Sequence, residues 1–228
     1  MAMTTTARSG FASQLQRDTG TDEFLTVAEV LSIGGPSQSR DMIDATSMDS
    51  TDQFKEFIGG LVDAGEVTME LNCIAADPEQ QALVSGIYGA VGAWRIAWPN
   101  FDAASIEIEA VDTVDDELTM TLHGLKTGQP VRFTTDDTLP EALEAGVTYF
   151  VGVVDVNTVK VYPTNAAAVA GTDPIDLEDE GTGPHYTARG SVCDMAAGVS
   201  GHETTTPHDG KVAVSATVKL TGKPAFTW

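Results

Sequence analysis

The residues of this chain that could do chemistry are four histidines, two cysteines and a few clusters of carboxylates. His123, His185, His202 and His208 show no His-x3-His spacing that would place two imidazoles on one helical face toward a metal. His202 and His208 lie in the polar stretch GHETTTPHDG, whose composition predicts solvated turn residues. Asp115-Asp116-Glu117 and Glu178-Asp179-Glu180 concentrate negative charge, but contiguous carboxylates are not the spaced ligands of a calcium loop. Cys73 and Cys193 are too few for a disulfide scaffold or a cysteine-based zinc site. Each falls in an apolar stretch, so both are expected to be reduced, buried small hydrophobes. Ser191 and Asp194 lack a histidine tied to them by any motif, and there is no G-x-S-x-G or phosphate-binding glycine loop. No enzymatic activity, metal or cofactor is therefore expected.

Charge narrows the function classes further. The 228 residues carry 34 Asp and Glu against 12 Lys and Arg, a formal net charge of −22, although charged residues are only 20% of the total. The imbalance comes from missing cations, and a surface short of cations does not hold nucleic acid by its phosphates. The acidity fits solubility, a saline host or a surface that must repel DNA. The opening MAMTTTARSG has no apolar core of a secretory signal, and no run of eighteen apolar residues occurs. Synthesis in the host cytoplasm is the expectation.

The elements that would position these residues are mostly strands. Residues 1–22 are small and polar and read as an N-terminal arm without a core of its own. Residues 24–33 (FLTVAEVLSI) predict the first strand, stopped by Gly34-Gly35-Pro36. An excursion of about two dozen residues follows, too long for a plain connection. It carries Met42, Ile43, Phe54, Phe57 and Ile58, which need a surface to cover. Residues 65–73 alternate, with Val67, Met69, Leu71 and Cys73 on one face and Glu66, Thr68, Glu70 and Asn72 on the other. That period predicts a half-buried antiparallel strand. Asp77 as N-cap, Pro78 at the first helical position and Gln80 closing a capping box predict one helix. Its apolar face would be Leu83, Val84, Ile87, Tyr88 and Val91, ended by Gly89 and Gly92. Residues 93–98 and 211–220 alternate again, the first with Trp94, Ile96 and Trp98 on one side. Between them, 106–187 has its own short strands and turns, with sixteen carboxylates against Lys126, Arg132 and Lys160. This composition shift predicts an inserted acidic β domain, 106–187, within a host domain made of 23–105 plus 188–228.

Several of these motifs together carry a resemblance. LTVAEVLSIGGPSQSRDMIDATSMDSTDQFKEFIGGLVDAGEVTMELN, then DPEQQALVSGIYGAV, WRIAWP and VSATVKLTGKPAF, resemble in order the major tail (tail-tube) proteins of long-tailed, non-contractile phages. The resemblance covers about 23–100 and 189–226. Residues 106–187 depart from it and look like a β module added to various phage virion proteins. The resemblance implies a mainly β fold of two packed antiparallel sheets with one flanking helix, forming a barrel with neighbouring copies. It implies homo-hexameric rings stacked into a tube that conducts DNA without specific binding. It also implies tape-measure, tail-terminator and tail-tip proteins as partners, and the virion tail as location. On this view Glu66, Thr68, Glu70 and Asn72 face the lumen, while Met42, Ile43, Phe54, Phe57 and Ile58 form a ring-stacking loop. The alternative is a virion-surface or cell-surface binding module that recognises a host glycan or protein.

Overall fold

The computed structural model describes residues 10–20, 23–50, 53–101 and 105–227. It is mainly β, with every named strand pair antiparallel. The chain divides into two compact units, one of Met1–Val27, Ala93–Asp194 and Ala225–Trp228, the other of Ala28–Gly92 and Met195–Pro224. Elements are numbered in chain order.

The first unit contains strands β1 (Gln14–Asp18), β2 (Phe24–Thr26) and β7 (Gly92–Trp98), with β1 between the other two. Strand β1 lies inside the segment expected to be an arm, and its Leu15 and Gln16 are fully buried. The sequence pattern missed it because QLQRD holds a single apolar residue. Residues 1–9 and 21–22 lie outside the described residues. The same unit holds a seven-stranded sheet of β8 (Ile106–Ile108), β9 (Ala110–Asp112), β10 (Glu117–Thr119), β11 (Pro130–Thr135), β12 (Tyr149–Val153), β13 (Thr158–Tyr162) and β14 (His185–Arg189). Their order is β8-β14-β11-β12-β13-β10-β9, so the two edges are strands separated in the chain by Glu109 alone. The sheet thus comes round nearly to a closed barrel, which leaves little free edge. Leu118, Val131, Phe133, Val151 and Val159 fill its interior.

A second helix, α2 (Asn165–Ala170), was not expected. It is six residues long, capped by Thr164 and ended by Gly171 at φ 63°. Its Asn165 is buried and bonds strand β2 and the barrel at once. The side-chain Nδ2 donates to Phe24 O and Gly128 O, both at 3.1 Å, and Oδ1 accepts from Thr26 N at 3.0 Å.

In the second unit, β3 (Val30–Gly34), β4 (Ser39–Asp44), β5 (Phe57–Asp63) and β6 (Glu66–Asn72) precede helix α1 (Pro78–Ser85). The single strand expected over 24–33 is two, β2 and β3, because Glu29 turns the chain at φ 54°. Strand β6 pairs with β3 on one side and with β16 (Ala213–Thr227) on the other. Strands β15 (Ser191–Thr205) and β16 are long enough to contribute residues to both units.

Helix α1 starts as expected, with Asp77 Oδ1 accepting from Gln80 N at 2.7 Å and Pro78 at the first position. Gln80 does not close a capping box. Its amide instead donates to Ala28 O and Asn72 O and accepts from Ile74 N, fixing the turn between β6 and the helix. The α-helix is also shorter than its pattern, giving way to a 3-10 turn at Gly86–Tyr88. Gly86 is needed there, since a Cβ would come within 2.8 Å of Val199 Cγ2. Leu83 is buried, but Ile87, Tyr88 and Val91 of the expected inner face are exposed.

Candidate assembly surfaces

Strand β6 carries the first surface. Val67, Met69 and Leu71 point into the core, whereas Glu66, Thr68 and Glu70 are exposed and Asn72 is half-buried. Across the ladder Glu66 faces Lys219, Thr68 faces Thr217 and Glu70 faces Ser215. On the other side Glu70 lies opposite Ser32, and Asn72 donates to Glu29 Oε2 at 2.8 Å. The result is a polar sheet face with carboxylates four residues apart and Thr68 between them, all on one side of a pleated strand. Cys73 does not share the buried face. The strand ends at Asn72 and Cys73, already in the turn toward α1, is exposed.

The second surface is the hairpin β4–β5. Met42, Ile43, Phe54, Phe57 and Ile58 are all exposed, as are Leu61 and Val62, with exposures between 49% and 86%. A register shift between Arg40 and Met42 interrupts the alternation, so Phe57 and Val62, opposite Asp44 and Arg40, share one face, and Ile58, opposite Ile43, takes the other. Both faces are therefore apolar, and neither is covered. At its root the hairpin is held firmly. Ser37 N donates to Glu66 O at 3.1 Å, and Ser37 Oγ accepts from Glu66 N at 3.2 Å. Asp63 accepts from Gly65 N and pairs with Lys219 at 2.9 Å; the Lys219 hydrogen bond chiefly lowers the Asp63 pKa. Gly65 sits at φ 79° with Ser37 O only 2.0 Å from where a Cβ would stand, so no other residue fits the root.

The groups singled out for chemistry are occupied otherwise. His123 is buried, accepts from Leu125 N at Nδ1 and contacts Asp155 O through Nε2 at 3.0 Å. His185 is buried between Thr135 and Glu180 O. His202, within β15, and His208, in the turn after it, are exposed. Asp116 accepts from Leu177 N, and Asp179 from Glu141 N and Gly181 N, so both acidic clusters contain carboxylates that bond backbone amides. No group of three or more ligating side chains occurs among the described residues. Cys193 is buried, and that burial, with Asp194 beside it, pushes its thiol up to about 11. Ser191 bonds Asn100, not a histidine.

Asp194 belongs to an ionic cluster that alternation concealed. Arg95, across β7 from the side of Trp94, Ile96 and Trp98, is only 1% exposed. It donates to Asp194 Oδ1 at 2.6 Å and to Thr127 O at 3.2 Å, and lies 3.9 Å over the Phe24 ring. Lys126 also pairs with Asp194. Burial opposes ionisation of Asp194, but Arg95 and Lys126 outweigh it and hold the carboxyl below its ordinary value.

The family model "Lambda phage tail tube protein, TTP" matches residues 6–132, more than half of the chain. The chain belongs to the lambda phage tail tube protein family. Its fold is also similar to solved structures. One is a chain of the virion of a native gene transfer agent particle, at 12% identity and TM-score 0.50, covering 97% of this chain and 100% of that one. Another is a chain of the tail of an empty gene transfer agent particle with C6 symmetry, with the same identity, coverage and score. No curated protein sequence matches. As a tail-tube family member the chain is a structural component of a virion tail.

Proposed function

We propose that the chain assembles as homo-hexameric rings that stack into the DNA-ejection conduit of a tail. The β4–β5 hairpin carries this reading, because a firmly rooted blade with two uncovered apolar faces has a use only against other chains. The C6 symmetry of the similar gene transfer agent tail supports six copies per ring. In the assembled ring, Met42, Ile43, Phe54, Phe57 and Ile58 stack one ring on the next. Glu66, Thr68, Glu70 and Asn72 line the lumen. A wall of repeated carboxylates with few cations repels DNA phosphates and lets the duplex slide.

The role is structural, without catalysis, and its protein partners beyond itself are the tape-measure, tail-terminator and tail-tip proteins. The subunit is made in the host cytoplasm and ends in the virion. The host domain is 23–105 with 188–228, preceded by the 1–22 arm, and the acidic 106–187 insertion projects from the tube. Electron microscopy of the purified protein tests the reading. Rings or tubes are expected; monodisperse monomers that bind host cells would instead support a surface-recognition module.

A further inference from the structure

We propose that the apolar groove beside helix α1 is the socket for the β4–β5 hairpin of the next copy of this chain. The inference rests on the ring-stacking reading and adds to it the surface that receives the hairpin.

The groove has a volume of about 610 Å³, and Leu71, Cys73, Leu83, Tyr88, His202 and Val214 are among its walls. It forms where β6 ends and the chain turns into α1. The Gln80 side chain ties that turn at Ala28 O, Asn72 O and Ile74 N, and Asp77 caps the helix behind it, so the walls are held by hydrogen bonds. Its rim is open: Tyr88 is 94% exposed, and Ile74 and Cys73 are exposed beside it.

Three observations point to a second copy as the occupant. The first is position. The hairpin is rooted at Asp63–Gly65, at the start of β6, whereas the groove is built on Leu71 and Cys73, at its end. Seven residues of strand separate them by about 20 Å. A projecting element at one end of a strand and a recess at the other make a heterologous, head-to-tail contact, which repeats indefinitely. The second is chemistry. The hairpin exposes Phe57, Ile58, Leu61 and Val62, and the groove lining contains no carboxylate, lysine or arginine. The third is charge. Copies with a net charge of −22 repel one another, so a lining without carboxylates is a favourable place for a second copy to dock. On the hairpin two ion pairs, Lys55 with Asp44 and Lys219 with Asp63, reduce the charge that the apolar side chains carry into the contact.

The exposed Cys73 in the groove provides the test, because Cys193 is buried. A double variant, Phe57→Cys with Cys73→Ser, is co-assembled with excess wild type, oxidised and run on a non-reducing gel. Met48→Cys and Phe54→Cys, each with Cys73→Ser, serve as further hairpin positions, and a short bismaleimide widens the reach. The only exposed thiol pair of variant with wild type is then hairpin to groove. A dimer of variant with wild type is expected, absent when Cys73→Ser replaces wild type in the mixture. Tubes that form with no such dimer at any of the three positions would overturn the socket and leave the tail-tube reading standing. Failure of the wild-type protein to form tubes at all would overturn both. As a second measurement, Tyr88→Glu is expected to raise the concentration needed for tube formation roughly tenfold or more, with an unchanged thermal transition. Tube formation at the wild-type concentration would count against the groove.

Discussion

The barrel of residues 106–189 and the hairpin of residues 39–63 are both antiparallel β structure carrying many apolar side chains, and they use them in opposite ways. In the barrel, Leu118, Val131, Phe133, Val151 and Val159 are fully buried, and the two edge strands are neighbours in the chain. In the hairpin, Phe57, Ile58, Leu61 and Val62 are exposed on two faces, and both strands are edges. Burial of a large apolar side chain stabilises a subunit by about 1.5–3 kcal/mol, a contribution that the hairpin residues do not make to their own copy. Apolar residues in the barrel hold one chain together. Those in the hairpin are free to join chains.

Substitutions should separate the two roles. The largest effect on the subunit is expected from Phe133→Ala in the barrel, which removes a fully buried ring and should cost about 3–5 kcal/mol in denaturant unfolding. An unchanged midpoint would mean that the barrel does not support its unit. Asp194→Ala should cost a similar amount, about 3–5 kcal/mol, because it strands the buried Arg95 guanidinium without its carboxylate. That ion pair also fixes a pH dependence. The Asp194 carboxyl is held below its ordinary value in the folded chain, so its stabilisation is complete above about pH 4 and fades as pH falls through the lower, folded value. Thermal scans between pH 7 and pH 2 should show the wild-type advantage over Asp194→Ala shrinking only in that acid range.

The hairpin should behave in the reverse manner. Phe57→Ser with Ile58→Ser is expected to shift subunit stability by no more than about 0.5 kcal/mol, as for other exposed positions. The same change should remove tube formation, since lost interface anchors cost about 2 kcal/mol or more each. Loss of the subunit's own thermal transition would show these side chains to be core after all. The smallest structural effect is expected from Glu66→Lys with Glu70→Lys on the polar face of β6. Fold and assembly should survive, but ejection of DNA should slow at low ionic strength and recover as salt screens the new phosphate contacts. At physiological salt the Debye length is about 8 Å, so part of the effect persists there. Normal ejection at every salt concentration would move these carboxylates off the channel wall.

How far the sequence could be read follows the same division. Alternation along 65–73 and 211–220 was plain, because each strand buries one face; the burial pattern follows it over 66–72 and 213–220, whereas Cys73 and Val212, beyond the strand ends, are exposed. The exposed apolar residues of the hairpin were visible as side chains without a partner, though Leu61 and Val62 did not stand out within FIGGLVD. Three features stayed hidden for physical reasons. Strand β1 has one apolar residue and is held by pairing to β2 and β7, which no local pattern reports. Arg95 is buried across β7 from the side of Trp94, Ile96 and Trp98, because its partners Asp194 and Thr127 come from distant parts of the chain. Helix α1 ends early and gives way to a 3-10 turn at Gly86–Tyr88, so Ile87 and Tyr88 leave the face that helical periodicity gave them.

The central claim is that the polar face of β6 lines a conduit and the β4–β5 hairpin joins its rings. A cryo-electron microscopy reconstruction of tubes grown from the purified protein tests both parts at once. Six copies per ring are expected, with Glu66 and Glu70 on the inner wall and Phe57 and Ile58 enclosed at the junction between successive rings. Tubes with Glu66 and Glu70 on the outer surface, or with β4–β5 bare to solvent, would contradict the account.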